Sequence, residues 1–86
     1  MSSIDEVIEM IDNVIADVMV PKNVKAALEE AKKVIKDESK DMSLRVSSAV
    51  YLIEKVSDEP NLMPHTRMDI WNILSALESL GENKKE

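Results

Sequence analysis

The side chains with the most chemistry to offer gather in one stretch, EPNLMPHTRMDIWNIL, from Glu59 to Leu74. It holds the single histidine of the chain, His65, the single tryptophan, Trp71, and one of the two arginines, Arg67. An imidazole can carry a proton or bind a metal, but either task needs company: an orienting acid, a nucleophile, or further histidine or cysteine ligands. The sequence has no second histidine and no cysteine. Disulfides, Fe–S clusters, thiolate zinc sites and a cysteine nucleophile are therefore excluded. Carboxylates occur in pairs such as Glu9/Asp12 and Glu29/Glu30, which could act only by projecting into a pocket. No Glu-x-x-His pair, phosphate loop or nucleophile motif is present. This chemistry points to a protein that is not an enzyme, with no cofactor, no metal and no evident small-molecule substrate. His65 reads as an ordinary surface histidine.

The elements that must position this stretch follow from composition and spacing. The 86 residues suit one domain, and a chain of this size buries roughly 60–65% of its unfolded surface. Hydrophobic residues make up 44%, phenylalanine is absent, and there is one glycine. Sheets and phosphate loops need glycine for turns and close backbone approach, so this composition favours helices with an aliphatic core. No apolar run follows a basic segment and none approaches the length of a membrane span, so the expectation is a cytoplasmic protein.

Ser3-Ile4-Asp5-Glu6 reads as a capping box opening helix 1, expected over residues 4–19. Ile4, Val7, Ile8, Ile11, Val14, Ile15 and Val18 fill an arc of about 120° at 100° per residue. Asp5, Glu6, Glu9, Asp12 and Asp17 cover the other side. Helix 2, expected over 21–38, opens at Pro21 and carries Val24, Ala27, Leu28, Ala31, Val34 and Ile35 inward. Helix 3, expected over 43–57 with Ser43 as its cap, turns Val46, Ala49, Val50, Ile53 and Val56 to the core. Its remaining apolar residues, Leu44, Tyr51 and Leu52, point elsewhere, and a helix apolar nearly all round is usually surrounded. Helix 4, expected over 64–80, turns Ile70, Ile73, Leu74, Leu77 and Leu80 inward, with Gly81 as its stop and a frayed tail over 82–86. Short connections make successive helices antiparallel, so the fold expected is an all-α, four-helix up-and-down bundle.

Within that frame the opening stretch has two readings. Pro64 fixes φ for a first helical position, or Thr66 caps the helix. Arg67 falls in the first turn, where the helix dipole disfavours a cation. It is expected to pair with Asp58, Glu59 or Asp69, or to cap the end of a neighbouring helix. Trp71, one turn on, could stack with it and lies about 60° outside the core stripe, partly exposed. One reading makes Arg67 and Trp71 a clamp that anchors the loop. The other makes Arg67, Met68 and Trp71, with Leu44, Tyr51 and Leu52 of helix 3, a partner-binding edge, because these residue types dominate interface hot spots. A homodimer would be the simplest way to cover them.

The second surface of note is basic. Lys22, Lys25, Lys32, Lys33 and Lys36 of helix 2 fall, with Lys40, within an arc of about 100°. This face could meet RNA or an acidic protein. Glu29 sits within it, no aromatic is interleaved for base stacking, and the net charge of −6 argues against nucleic acid as the main partner. A solvated, salt-bridged face beside acidic helix 1 is the plainer reading.

Three segments, VPKNVKAA (Val20–Ala27), KDESKDMSLRVSSA (Lys36–Ala49) and DEPNLMPHTRMDIWNILSALE (Asp58–Glu78), together resemble a family of small uncharacterised archaeal proteins of about 90 residues. The match spans most of the chain and is most specific at PN-x-MPHTR-xx-IWNI. The resemblance implies a compact helical bundle in an archaeal cytoplasm, with no activity and no catalytic residues to transfer. The function expected is a small non-catalytic protein-binding or assembly module. The alternative is an RNA-associated accessory protein using the lysine face.

Overall fold

The computed structural model describes residues 3–84, with side chains placed for residues 3–81. Its helices are α1 (Ile4–Ile15), α2 (Lys22–Lys36), α3 (Met42–Glu54) and α4 (Pro64–Lys84). No strand occurs among the described residues. Each helix packs on its predecessor and α1 closes the ring against α4, while the diagonal pairs stay apart. This is the four-helix bundle expected. It measures 38 × 22 × 19 Å. The long axis follows α4, whose 21 residues span about 31 Å at 1.5 Å per residue. No helix among the described residues is long and apolar enough to cross a membrane.

The core is aliphatic. Ile11, Leu28, Ile53 and Leu77, one from each helix, are wholly buried. The predicted inward stripes are found except for Val18, with Ile8, Val50, Val56 and Leu74 half-buried at their margins. Neither aromatic ring enters the core; Tyr51 and Trp71 are both exposed.

Most of the helix ends depart from expectation; α2, for one, ends at Lys36 rather than at 38. Helix α1 stops at Ile15, short of Met19. There the Asp17 carboxylate accepts the Met19 N–H at 2.9 Å and folds the chain into a turn ahead of Pro21. Val18, expected on the core stripe, is consequently 87% exposed, and Val20 is buried in its place. At the start of α2, Pro21 is the cap rather than the first helical residue, with ψ at 152°. Helix α3 begins one residue early because Asp41, not Ser43, caps it, accepting the Leu44 N–H at 2.9 Å. A carboxylate there also meets the positive end of the helix dipole, which a hydroxyl does not. It ends at Glu54, and Lys55 to Ser57 form turns.

Helix α4 begins at Pro64 as read, with Thr66 inside its first turn and buried rather than capping. It then runs through Gly81, where a stop was expected. Gly81 has no positive φ. A Cβ placed on it would meet Val46 Cγ1 at 3.4 Å, an ordinary contact, so the residue lies in the α3–α4 seam and ends nothing. Of the tail expected to fray, Glu82 to Lys84 continue the helix, and Lys85 and Glu86 lie outside the described residues.

Side chains hold the turns. Asp37 accepts both the Ser39 hydroxyl, at 2.6 Å, and the Ser39 N–H, at 3.0 Å, and Lys40 approaches its other oxygen at 3.2 Å. Arg45 reaches back from α3 to the carbonyls of Lys40, at 2.8 Å, and Ile35, at 3.3 Å. Asn23 at the start of α2 donates to Glu59 in the α3–α4 loop at 2.9 Å.

Two tests follow from these ends. Replacing Gly81 with alanine removes the conformational cost of a helical glycine and fits the space, so it raises stability by about 0.5–1 kcal/mol in chemical denaturation. Asp41→Ala lowers stability by about 1 kcal/mol in the same assay, and Ser43→Ala leaves it within about 0.5 kcal/mol of the parent. The turn carboxylates also set the acid limb. Bonds from Ser39 and then Lys40 hold Asp37 down to about 2, from an ordinary 3.8. The Met19 N–H, then His65, holds Asp17 below its ordinary value as well. Both folded-state values lie below the unfolded one, so their contribution is complete above pH about 4 and is lost as pH falls towards 2. Thermal melts from pH 5 to pH 2 of the parent and of Asp37→Asn should converge as the pH drops.

Candidate functional site

Antiparallel packing of α3 on α4 places Val46 beside Gly81 and the end of α3 beside the start of α4. Between these helices lies an open groove of 510 Å³. Ile70, Trp71 and Leu74 line it from α4, and Glu54 and Ser57 from the α3 side. Ile70 is buried, Leu74 half-buried, and Trp71 stands 73% exposed at the edge. The spacing of these residues accounts for the groove. Ile70 and Leu74, four apart, face the same way, and Trp71 is turned about 100° from Ile70 towards solvent. Arg67 and Glu78 mark the two ends along α4.

Arg67 resolves the question of a cation in a first helical turn. Its guanidinium donates to the Ser57 carbonyl at 3.4 Å and the Glu59 carbonyl at 3.3 Å. It therefore ties down the backbone of the α3–α4 loop beyond the end of α3, and neither pairs with an acid side chain nor caps a helix as expected. No stack of Arg67 on Trp71 forms; the cation–π contact among the described residues sets Lys55 Nζ 5.4 Å from the Tyr51 ring centre. The opening stretch thus divides. Arg67 anchors the loop, and Trp71 is left free beside the groove.

The other predicted contacts are distributed. Met68 is exposed on α4, outside the groove lining. Leu44 and Tyr51, seven residues apart on α3, are both exposed and share one side of that helix. Leu52 is not an outer residue; it is half-buried and packs on the core, because it faces the side of α3 that carries Ala49 and Val56. His65 Nε2 lies 3.2 Å from Asp17 Oδ2, tying the start of α4 to the α1–α2 turn. Exposed Val18, Met19 and Met63 lie at this same end. Reading the helices singly missed Glu54, Ser57, Ser75 and Glu78 as groove residues. Antiparallel pairing from Pro64 backwards along α3 was the only signal that could have found them.

The lysine face is partly committed. Lys32 forms an ion pair with Asp12 of α1, which holds the lysine above its ordinary value, as expected where acidic α1 meets basic α2. Lys22, Lys33 and Lys36 remain exposed, and Lys25 is half-buried.

No three His, Cys, Asp or Glu side chains gather to hold a metal among the described residues. The arrangement defines a small helical-bundle protein with an open, partly apolar groove between α3 and α4. The chain belongs to the uncharacterised protein family UPF0147, whose family model matches residues 1–80. It is 37% identical over 78 residues to a UPF0147 protein of Thermococcus kodakarensis, covering 90% of this chain and 94% of that one. It is 39% identical over 69 residues to one of Methanocaldococcus jannaschii, covering 80% and 74%. The crystal structure of a UPF0147 protein from Thermoplasma acidophilum superposes with a TM-score of 0.83 at 30% identity, over 88% of this chain and 89% of that one. That of MMP1188, a protein of unknown function, gives 0.84 at 32%, over 88% and 86%. The archaeal family resemblance read from the three segments is thereby established. The function of the family is unknown, and none of these names assigns a reaction.

The sole tryptophan reports directly on the groove. Its emission should be that of a solvated indole and be quenched efficiently by acrylamide. Arg67→Ala should lower stability by about 1 kcal/mol through its two carbonyl bonds and leave that emission unchanged.

Proposed function

We propose that this protein is a non-catalytic, cytoplasmic protein-binding module whose α3–α4 groove receives an apolar segment of a partner. The observation that carries this reading is Trp71, 73% exposed beside a groove floored by Ile70 and Leu74. An indole left in water forgoes a large hydrophobic gain that a partner would recover. Tryptophan and arginine are also the residue types most enriched at interface hot spots. Tyr51, Leu44 and Met68 extend the exposed apolar surface to either side.

The second reading rests on Lys22, Lys33 and Lys36, which face solvent on α2 and could contact phosphates. The two readings separate by salt. Lysine–phosphate binding weakens steeply as salt rises, and apolar docking does not.

Affinity capture of the tagged protein from its native cytoplasm, with and without nuclease, tests both. The groove reading expects a protein that survives nuclease and moderate salt and is lost at least tenfold on Trp71→Ala, with the melting temperature unchanged. RNA that is lost when Lys22, Lys33 and Lys36 are reversed to Glu, with Trp71→Ala silent, would overturn it in favour of the second reading. Sedimentation equilibrium at tens of micromolar separates a foreign partner from a second copy.

A further inference from the structure

Charge at the groove narrows what it can hold. Resting on the reading of the α3–α4 groove as a docking site, we infer that its occupant is a basic amphipathic helix of another protein. Glu54 stands on the α3 wall and Glu78 at the far end along α4. Both are exposed, and neither enters an ion pair within the described residues. The lining also holds one cation, Arg67 at the loop end, so two carboxylates and one guanidinium leave it a net charge of −1. Arg67 directs its guanidinium to the Ser57 and Glu59 carbonyls at the loop end, and Lys55 lies over the Tyr51 ring. An apolar floor of Ile70 and Leu74 is thus flanked by two free carboxylates.

The shape suits a helix. From Arg67 to Glu78 the groove runs about 16 Å along α4, the length of about three helical turns. An amphipathic helix laid in it would present apolar anchors at i, i+3, i+4 and i+7 to Ile70, Trp71 and Leu74. Lysines or arginines beside those anchors would meet Glu54 and Glu78. Phosphate-bearing partners fit poorly, since the two carboxylates outnumber the single guanidinium of Arg67 in the lining. A second copy fits poorly too. The chain's own basic helix, α2, exposes lysines, glutamates, Asn23 and Ala26 but no large apolar residue, so it brings no anchor for the floor. Pairing two grooves face to face would set two surfaces of net negative charge, each with Glu54 and Glu78 against a single Arg67, against one another.

The test uses Trp71 emission, with two synthetic helical peptides as probes. Each is about three turns long with the same leucine stripe; one carries lysine and the other glutamate at every flanking position. The inference expects the lysine peptide to blue-shift Trp71 emission and to bind about tenfold tighter than its acidic twin at low salt, a difference of about 1.4 kcal/mol. Raising the salt should shrink that preference. Glu54→Lys/Glu78→Lys should invert it, with the melt of this surface variant showing that the bundle is intact. Equal binding of the twins overturns the inference while leaving the groove reading in place. A groove-binding failure of both peptides, together with native capture indifferent to Trp71→Ala, overturns the two together. A concentration-dependent dimer that buries Trp71 overturns the inference by making a second copy the occupant.

Discussion

This bundle has to turn its chain without glycine. One glycine serves 86 residues, and it lies inside α4 rather than in a turn. No described residue adopts a positive φ, so the left-handed caps that end many helices are absent among these residues. The unpaired carbonyls and N–H groups at the helix ends then have to be met by side chains. Asp17 and Asp37 accept backbone N–H groups in their own turns. Arg45 reaches back to carbonyls at the end of α2 and in the turn after it, and Arg67 to carbonyls of the loop that follows α3. Each arginine is the fourth residue of its helix, just after a connection, and from there it spans the turn. A cation so placed opposes the dipole of its own helix; Arg45 offsets this at the carbonyl end of α2, and Arg67 at the loop carbonyls.

That division of labour explains which polar residues remain for other uses. The arginine in the most distinctive stretch of the sequence is taken up by the fold. So is His65, through its contact with Asp17, and so is Lys32, through Asp12. What is left without a structural partner among the described residues is the Trp71 indole and a few carboxylates on and around the α3–α4 seam. Residue types that look functional in a list thus sort into those that close turns and those that face outward.

The lack of phenylalanine has a related effect. The core is built of valine, isoleucine, leucine and alanine, and Gly81 of α4 lies beside Val46 of α3 in the seam. Neither Trp71 nor Tyr51 is needed to fill the core. Two large aromatic side chains remain exposed in a chain that has no others. An exposed indole at the edge of a groove is the physical ground on which a binding role rests.

Much of this was legible in the sequence. Helical periodicity, the Ser3–Glu6 capping box and the prolines at 21 and 64 located all four helices and nearly all of the core, because these signals act within one or two turns of chain. Helix ends were less legible where two local signals competed. Asp41 and Ser43 both suit a cap, and Val18 continues a periodicity that Asp17 breaks by bonding Met19. Gly81 carried a stop signal that packing on Val46 overrode. The groove was not legible at all. Glu54 and Glu78 lie 24 positions apart, and no local rule relates them; only the antiparallel register of α3 on α4 brings them to one surface. The sequence by itself determined which faces are apolar, because that depends on spacing along a single helix. Only the tertiary structure decided which polar residues those faces leave free, because that depends on which helix ends meet.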